Sequence, residues 1–310
     1  MIKKTIFVTG GSGYLGTATC QLLLDRGHNV FNIDTREPKV YTKGLLSIMD
    51  AEVYDLMLDN KPDAVIHLAA KNGMQNSRID PFAFYDRNVI DSVNFLKYAV
   101  DAGVKNFVFG SSGAWHTEVH TTGEMNPYIH TKIVFEEILK VTSPLCGVDY
   151  AILRYFNIAG ADPDLRFGRD LPSSYMIPNM CQKILDNEEI IVYTGYPSTS
   201  DGSSIRDYIH VTDAAKATVD AAEHLMNNKG SFESGVGTGT STSTLELISM
   251  FEKIVGHPIK YKVMKTTPTD PEVIVNFPGC RFANFDWRAE YTLEDIVRHE
   301  LAWYKESRVK

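Results

Sequence analysis

The stretch Asn126-Pro127-Tyr128-Ile129-His130-Thr131-Lys132 sets a phenol and an ammonium four residues apart. Asn126 is a good N-cap and Pro127 suits the first helical position, so Tyr128 and Lys132 are expected on one face, a turn apart. A phenol with its ordinary pKa near ~10 is a poor base at neutral pH. A cation beside it favours the phenolate, which can take a proton from a hydroxyl. Ser112, just past a β-rich run, is placed to hydrogen-bond the same reacting oxygen. Ser112, Tyr128 and Lys132 are therefore the candidate catalytic residues. A Tyr-x-x-x-Lys pair by itself is common on amphipathic helices, so its surroundings decide its meaning.

The amino-terminal region supplies those surroundings. Gly10, Gly13 and Gly16 follow the β-rich run Thr5-Ile6-Phe7-Val8-Thr9 and lead into a helical pattern from Tyr14 to Arg26. A strand, a glycine turn and a helix form an anion cradle: glycine admits positive φ and close approach, and the helix start offers N–H groups and a positive dipole end. A second β run, Asn29-Val30-Phe31-Asn32-Ile33, ends in Asp34. That acid stands about 20 residues past the glycines, the spacing of a dinucleotide fingerprint. A carboxylate there accepts ribose hydroxyls and repels a 2′-phosphate, which favours NAD over NADP; Arg36 close by softens the preference. A cationic nicotinamide would also favour the Tyr128 phenolate.

These residues need a frame. Further β runs are Ala64–Leu68, Asn106–Phe109 and Tyr150–Arg154, with helical patterns at Asp50–Asn60, Pro81–Ala102 and Pro127–Val141 between them. Such alternation predicts an α/β fold, a doubly wound parallel sheet of Rossmann type, with ligands beyond the carboxyl ends of the strands. After Asn157 the texture changes. A loop rich in Asp, Pro, Gly and Ser spans Ala161 to Ser174, a helix Ile177 to Asn187 and a short strand Ile190 to Tyr193. Asp207–Val211 resembles a return to the sheet, with a helix from Thr212 to Met226 after it. The expected division is a dinucleotide-binding unit, 1–156 plus 206–230, and a smaller interleaved unit, 157–205 plus 231–310. Thr238 to Thr244 is expected to cap a helix from Thr244 to Val255. His67 reads as core, and Trp287 and Trp303 as packing within the second unit.

With 44% hydrophobic and 23% charged residues in 310, the chain can bury a large core. A net charge of −8 argues against a nucleic-acid surface, and no apolar run approaches membrane-spanning length. Met1-Ile2-Lys3-Lys4 is basic but lacks the apolar region of a secretory leader, so a cytoplasmic location is expected. Cys20, Cys146, Cys181 and Cys280 are scattered and read as reduced, mostly buried thiols. His116, His120 and His130 lack an acid or Cys to complete a ligand set, so no metal is expected.

In this frame the residues resemble the extended short-chain dehydrogenases/reductases, in their NAD-dependent epimerase/dehydratase branch, and most of all the UDP-glucose 4-epimerases. The resemblance runs nearly end to end. It is carried by Val8-Thr9-Gly10-Gly11-Ser12-Gly13-Tyr14-Leu15-Gly16, Val65-Ile66-His67-Leu68-Ala69-Ala70, Tyr85-Asp86-Arg87-Asn88-Val89 and Phe109-Gly110-Ser111-Ser112. Tyr128-x-x-x-Lys132 belongs to it, as do Leu153-Arg154-Tyr155-Phe156-Asn157-Ile158-Ala159-Gly160 and Arg206-Asp207-Tyr208-Ile209-His210-Val211. It implies an NAD site formed by Gly10, Gly13, Tyr14, Leu15, Gly16, Asp34, Thr35, Ser47, Ile48, Leu68, Ala69, Ala70, Arg87, Lys132 and Phe156. It implies a nucleotide-sugar site formed by Ser112, Tyr128, Asn157, Ser174, Tyr193, Arg206 and Asp270, with Tyr193 against the base and Arg206 on the diphosphate.

The implied reaction is epimerisation at C4 of a UDP-hexose through a transient 4-keto sugar: Tyr128 takes the 4-hydroxyl proton and hydride passes to NAD⁺ and back. A homodimer through Pro81–Ala102 and Pro127–Val141 is implied as well. The chain departs from the family pattern at several points. The Ser112–Tyr128 stretch is short and runs Ala114-Trp115-His116-Thr117; Asn72 beside Lys71 replaces a loop Lys, and Ser47 an acid near the adenine. Ser173-Ser174 stand for Asn-Asn, and Thr266-Thr267 for a second diphosphate Arg, with Lys262 and Lys265 nearby. A 4,6-dehydratase is the alternative, but it needs an acid pair near the Ser112 strand end, and Glu118 is the only acid there before Glu124. A catalytically inactive nucleotide-binding regulator is a third reading, opposed by the intact Ser112, Tyr128 and Lys132.

Overall fold

The computed structural model describes residues 2–40, 45–114, 125–227, 230–265, 271–276, 285 and 287–308. Strands β1 (Thr5–Thr9), β2 (Asn29–Ile33), β3 (Ala64–His67), β4 (Asn106–Ser112), β5 (Asp149–Tyr155) and β10 (Phe232–Val236) form one parallel sheet. Their order is β10-β5-β4-β3-β1-β2. Alternate residues of each strand feed two cores, because side chains point to opposite faces with a period of two. Ile6, Val8, Ile66, Val108 and Leu153 join helices α1 (Tyr14–Asp25) and α8 (Val211–Met226) on one face. Phe7, Val65, Phe107, Phe109 and Ile152 join α2 (Ala51–Asn60), α5 (Asp91–Asp101) and α6 (Pro127–Cys146) on the other. Burial on both faces explains the near-continuous apolar runs in the sequence.

From β1 the chain steps to β2 on one side and then to β3 on the other, so the strand order reverses between β1 and β3. Ligands of open α/β sheets bind at that reversal, beyond the carboxyl ends. There Gly10 has φ +71°, and a Cβ on it would lie 2.8 Å from the Ala69 nitrogen. The loops after β1 and β3 therefore touch backbone to backbone, which only glycine allows.

Several elements differ from expectation. The single helix expected at Pro81–Ala102 is α4 (Pro81–Tyr85), a π segment (Asp86–Ile90) and α5, with α3 (Met74–Ile79) before them. β4 runs on to Ser112 because β5 pairs with it through Ser112↔Tyr155. After β5 the chain leaves the sheet as β6 (Asn157–Ala159), which pairs in parallel with β9 (Tyr208–His210). The expected return of Asp207–Val211 to the main sheet is thus corrected: it builds a separate two-stranded sheet. The sixth main strand is β10, which the boundary at 230/231 had placed in the second unit. Its sequence, Phe-Glu-Ser-Gly-Val, is too polar to announce a buried strand, and it needs apolar cover only in part because it is the sheet edge.

A third core joins α7 (Met176–Leu185), β7 (Ile190–Thr194), α9 (Thr244–Val255) and α10 (Leu293–Ser307) through Ile177, Met180, Leu247, Phe251, Leu301 and Tyr304. Around it lie β8 (Ile205–Arg206), β11 (Thr242–Ser243), β12 (Tyr261–Lys265) and β13 (Val273–Ile274). The expected cap on α9 is present: Ser243 accepts from the Glu246 N–H, and Glu246 closes the capping box. Trp303 packs against this core, but Trp287 is corrected: it is buried in the α1–α8 core of the main sheet. Cys20 and Cys181 are buried, Cys146 is exposed, and Cys280 lies outside the described residues. Among the described residues no helix is long and apolar enough to cross a membrane.

His67, expected in the core, is buried between Thr9 Oγ1 at 2.7 Å and Ser92 Oγ at 3.0 Å. His210 is also buried, its Nε2 3.0 Å from His299 Nδ1. Desolvation pushes both imidazoles from 6.5 down to about 3. The unfolded chain therefore binds more protons than the folded one as pH falls below about 6.5, and stability present above that pH is lost toward pH 3. Each histidine is expected to add a slope of ~1.4 kcal/mol per pH unit in that window. Urea titrations between pH 7 and 4.5 check this, and an unchanged slope in His210→Gln would refute it.

Candidate active site

The cradle is built from backbone. Gly13 precedes α1 without a side-chain cap, and its N–H donates to the Gly10 carbonyl at 3.0 Å. A Cβ on Gly16 would fall 2.0 Å from that carbonyl oxygen, so no other residue fits. Ser12 donates its N–H to Asp34 Oδ2 at 3.1 Å, tying the turn to the end of β2. Asp34 also accepts from the Arg36 N–H at 3.0 Å, Nε at 3.2 Å and Nη2 at 3.1 Å. Asp34 is buried at the end of β2, with the exposed Arg36 guanidinium along its carboxylate. Glycines with no room for a side chain, an uncapped helix start and a buried acid at the next strand end together fit a dinucleotide.

The other implied cofactor residues gather unevenly. Leu46 donates its N–H to the Asp34 carbonyl, which brings Ser47 and Ile48 beside the end of β2, and Thr35 is exposed there. Leu68 packs against the α1–α8 core, and Ala69 donates its N–H to Thr9 Oγ1 at 3.1 Å, with Ala70 next. Phe156 is buried, and its ring closes the space above Gly113. Arg87 is exposed and paired with Asp91 at 2.8 Å. Its neighbour Asn88, part of the same motif but given no site role from sequence, is buried in the π segment. Asn88 bonds both the N–H and the carbonyl of Lys71 and reaches Thr131 Oγ1 at 3.1 Å. It thereby joins the loop after β3 to the helix of Tyr128.

Asn126 caps α6 by accepting from the Tyr128 N–H at 3.0 Å, and it is itself held by Ser77 and the Met74 carbonyl. The Tyr128 hydroxyl is hydrogen-bonded to Ser112. Tyr128 is part-exposed as a residue, but its hydroxyl is enclosed, and desolvation together with the nearby Tyr175 phenol pushes its pKa up. Burial lowers the Lys132 ammonium to about 8, against the opposing pull of Glu136. Lys132 Nζ donates to the Gly110 carbonyl at 2.8 Å and sits 4.8 Å over the Phe109 ring. Lys132 thus directs one of its donors to the Gly110 carbonyl, while desolvation is the largest influence on the Tyr128 phenol.

Four of the implied nucleotide-sugar residues, Asn157, Ser174, Tyr193 and Arg206, line one cavity of about 260 Å³. Arg206 donates Nη1 to the Ile205 carbonyl at 2.8 Å, and Asn157 donates Nδ2 to the Asp207 carbonyl at 3.2 Å. Tyr193 stands half-exposed at the rim. Asp270 lies outside the described residues, as do His116 and His120. His130 Nδ1 is bonded to Tyr85 at 2.7 Å. Asp207, also unassigned from sequence, is buried and accepts from the N–H groups of Thr238, Gly239 and Asn276. Its signal was an acid inside an apolar strand run.

A family model described as "NAD dependent epimerase/dehydratase family" matches residues 6–233. The chain is 34% identical over 321 residues to a UDP-glucose 4-epimerase of Halalkalibacterium halodurans, covering 97% of this chain and 96% of that protein. It is 34% identical over 322 residues to a UDP-glucose 4-epimerase of Rhizobium meliloti, covering 98% of each. Among solved structures, UDP-glucose-4-epimerase from Stenotrophomonas maltophila, with bound NAD and formylated UDP-arabinopyranose, matches with a TM-score of 0.90 at 29% identity, covering 99% of this chain and 100% of that one. The Bifidobacterium longum enzyme in complex with NAD⁺ and UDP gives 0.85 at 29% identity, covering 98% and 99%. On the glycine cradle, the Ser112–Tyr128–Lys132 arrangement and these likenesses, the chain belongs to the NAD dependent epimerase/dehydratase family.

Proposed function

We propose that this protein is an NAD-dependent nucleotide-sugar 4-epimerase of the UDP-glucose/UDP-galactose type. The observation that carries the reading is the convergence of Asn157, Ser174, Tyr193 and Arg206 on one cavity whose Tyr175 wall acts electrostatically on Tyr128. NAD, when bound, supplies hydride acceptance and return at C4 and a positive ring that offsets the desolvation of a Tyr128 phenolate. Gly10, Gly13 and Gly16 would give its diphosphate room, and Asp34 would accept from the adenosine ribose hydroxyls. Ser112 orients the 4-oxygen, and Tyr128 takes the 4-hydroxyl proton and later gives it back. Arg206 holds the substrate diphosphate, so the 4-keto sugar can turn while the nucleotide stays fixed. In this reading residues 1–156 with 206–230 form the NAD-binding unit and 157–205 with 231–310 the nucleotide-sugar unit, with Ser112, Tyr128 and Arg206 acting on the sugar nucleotide from the first unit and β10 completing the main sheet.

Purified protein supplied with UDP-galactose should yield UDP-glucose with NAD retained. A full complement of NAD and no turnover of any UDP-hexose would overturn the reading, and a product lighter by one water would replace it with a dehydratase. The buried thiols of Cys20 and Cys181, unpaired in the structure, are in keeping with a cytoplasmic site of action. We also infer a homodimer through α4–α5 and α6. Phe82 is 80% and Leu145 84% exposed on these helices, with Ile90 and Val141 also exposed. A monomer by sedimentation equilibrium at micromolar concentration would refute the dimer.

A further inference from the structure

Arg169 lies in the loop between β6 and α7, outside every residue assigned above. Its guanidinium carbon sits 4.0 Å from the centre of the Tyr14 ring and 4.1 Å from the centre of the Tyr175 ring. The two rings come from the two halves of the site. Tyr14 opens α1 at the glycine cradle, and Tyr175 lines the cavity of Arg206. Two aromatic rings this close favour a cation at that place, and a guanidinium that stacks on rings keeps its donors along its edge.

Those donors are poorly used. Among the described residues the side chain makes one hydrogen bond, Nη2 to the Ile158 carbonyl at 3.4 Å, and no ion pair. Its Nε is buried without a partner. Glu300 acts on it electrostatically, but burial raises that carboxyl to about 7 and one of its oxygens accepts from the Gly160 N–H. A cation with an unsatisfied buried donor beside two aromatic rings is costly unless an anion meets it. Its planar fork suits phosphate oxygens. The chain also carries Thr266-Thr267 where the resemblance implies a second diphosphate arginine.

We propose that Arg169 is a second diphosphate-binding arginine, donating from the edge of its stacked guanidinium to a ligand held between the glycine cradle and the Arg206 cavity. The choice of ligands rests on the nucleotide-sugar reading. A diphosphate can come from the sugar nucleotide or from the dinucleotide, and the test separates them. Arg169→Met keeps a long, polarisable side chain between the rings; Arg169→Lys keeps the charge but loses the planar stack. UDP and UMP affinities are measured by calorimetry, NAD content after purification by absorbance, and folding by thermal melt.

If the sugar nucleotide is the source, Arg169→Met weakens UDP roughly 10- to 100-fold while UMP changes little, and Arg169→Lys recovers part of the loss. If the dinucleotide is the source, NAD content falls in Arg169→Met and UDP affinity stays. Wild-type affinity for UDP together with full NAD content in Arg169→Met overturns the proposal. So does an equal loss of UDP and UMP with a lowered melt, which would make Arg169 only a spacer between rings. A wild-type protein that binds UDP and NAD but turns over no UDP-hexose sinks the epimerase reading and leaves this proposal standing.

Discussion

Tyr128→Phe is expected to lower kcat for UDP-hexose interconversion by about 10²- to 10⁴-fold, with the fold and the NAD content unchanged. The substitution removes one oxygen and keeps the ring. That ring packs edge-on to Phe84, with centroids 6.2 Å apart, and lies against the buried cluster of Ala114, Ile129 and Phe156. A phenylalanine keeps these contacts, so stability has little reason to change. The hydroxyl is the only part of the residue bonded to Ser112, and it is the group that must carry the sugar proton. Burial and the nearby Tyr175 phenol push the Tyr128 pKa up, so a positive charge beside the oxygen favours its action as a base. Single-turnover and steady-state rates with UDP-galactose check this. Activity within a few-fold of wild type would remove Tyr128 from the proton path.

What the sequence could and could not foretell follows the range of the interactions. The β1–α1–β2 cradle, with Asp34 at its strand end, was legible because glycine turns, period-two apolar runs and caps are local signals. The capping box at Ser243 and Glu246 was legible for the same reason. The convergence of Asn157, Ser174, Tyr193 and Arg206 came from resemblance, since nothing local links residues so far apart in the chain. The tertiary overrides were not legible. A single helical reading of Pro81–Ala102 cannot reveal a π segment that turns Asn88 toward Lys71 and Thr131. Tyr-x-x-x-Lys spacing places two side chains on one face, but not the Lys132 ammonium on the Gly110 carbonyl. Trp287 looked like a residue of the unit around it in sequence, yet the chain carries it back to the main-sheet core.

Arg154→Met is expected to destabilise the protein by about 3–5 kcal/mol, the cost of leaving a buried charge without its partner. Arg154 on β5 meets Glu136 on α6 with Nε at 3.0 Å and Nη2 at 2.5 Å, and its Nη2 also reaches Glu233 on β10 at 2.5 Å. Glu136 is 2% exposed and also accepts from the Ser111 hydroxyl on β4. Lys140 can take up little of the loss, since its Nζ is 3.9 Å from Glu136 and already 3.1 Å from Glu233. Arg154 and Glu136 together thus tie α6 to β5, to β10 and, through Ser111, to β4, one turn beyond Lys132 and next to Ser112. Removing Arg154 should lower kcat as well as the urea midpoint, because the helix that carries Tyr128 loses its anchor. The double variant Arg154→Met with Glu136→Leu separates the causes. If the cost is an uncompensated carboxylate, taking away that carboxylate restores part of the stability, and the double variant is more stable than Arg154→Met alone. A single variant within about 1 kcal/mol of wild type would place this network among the ion pairs that contribute nothing measurable.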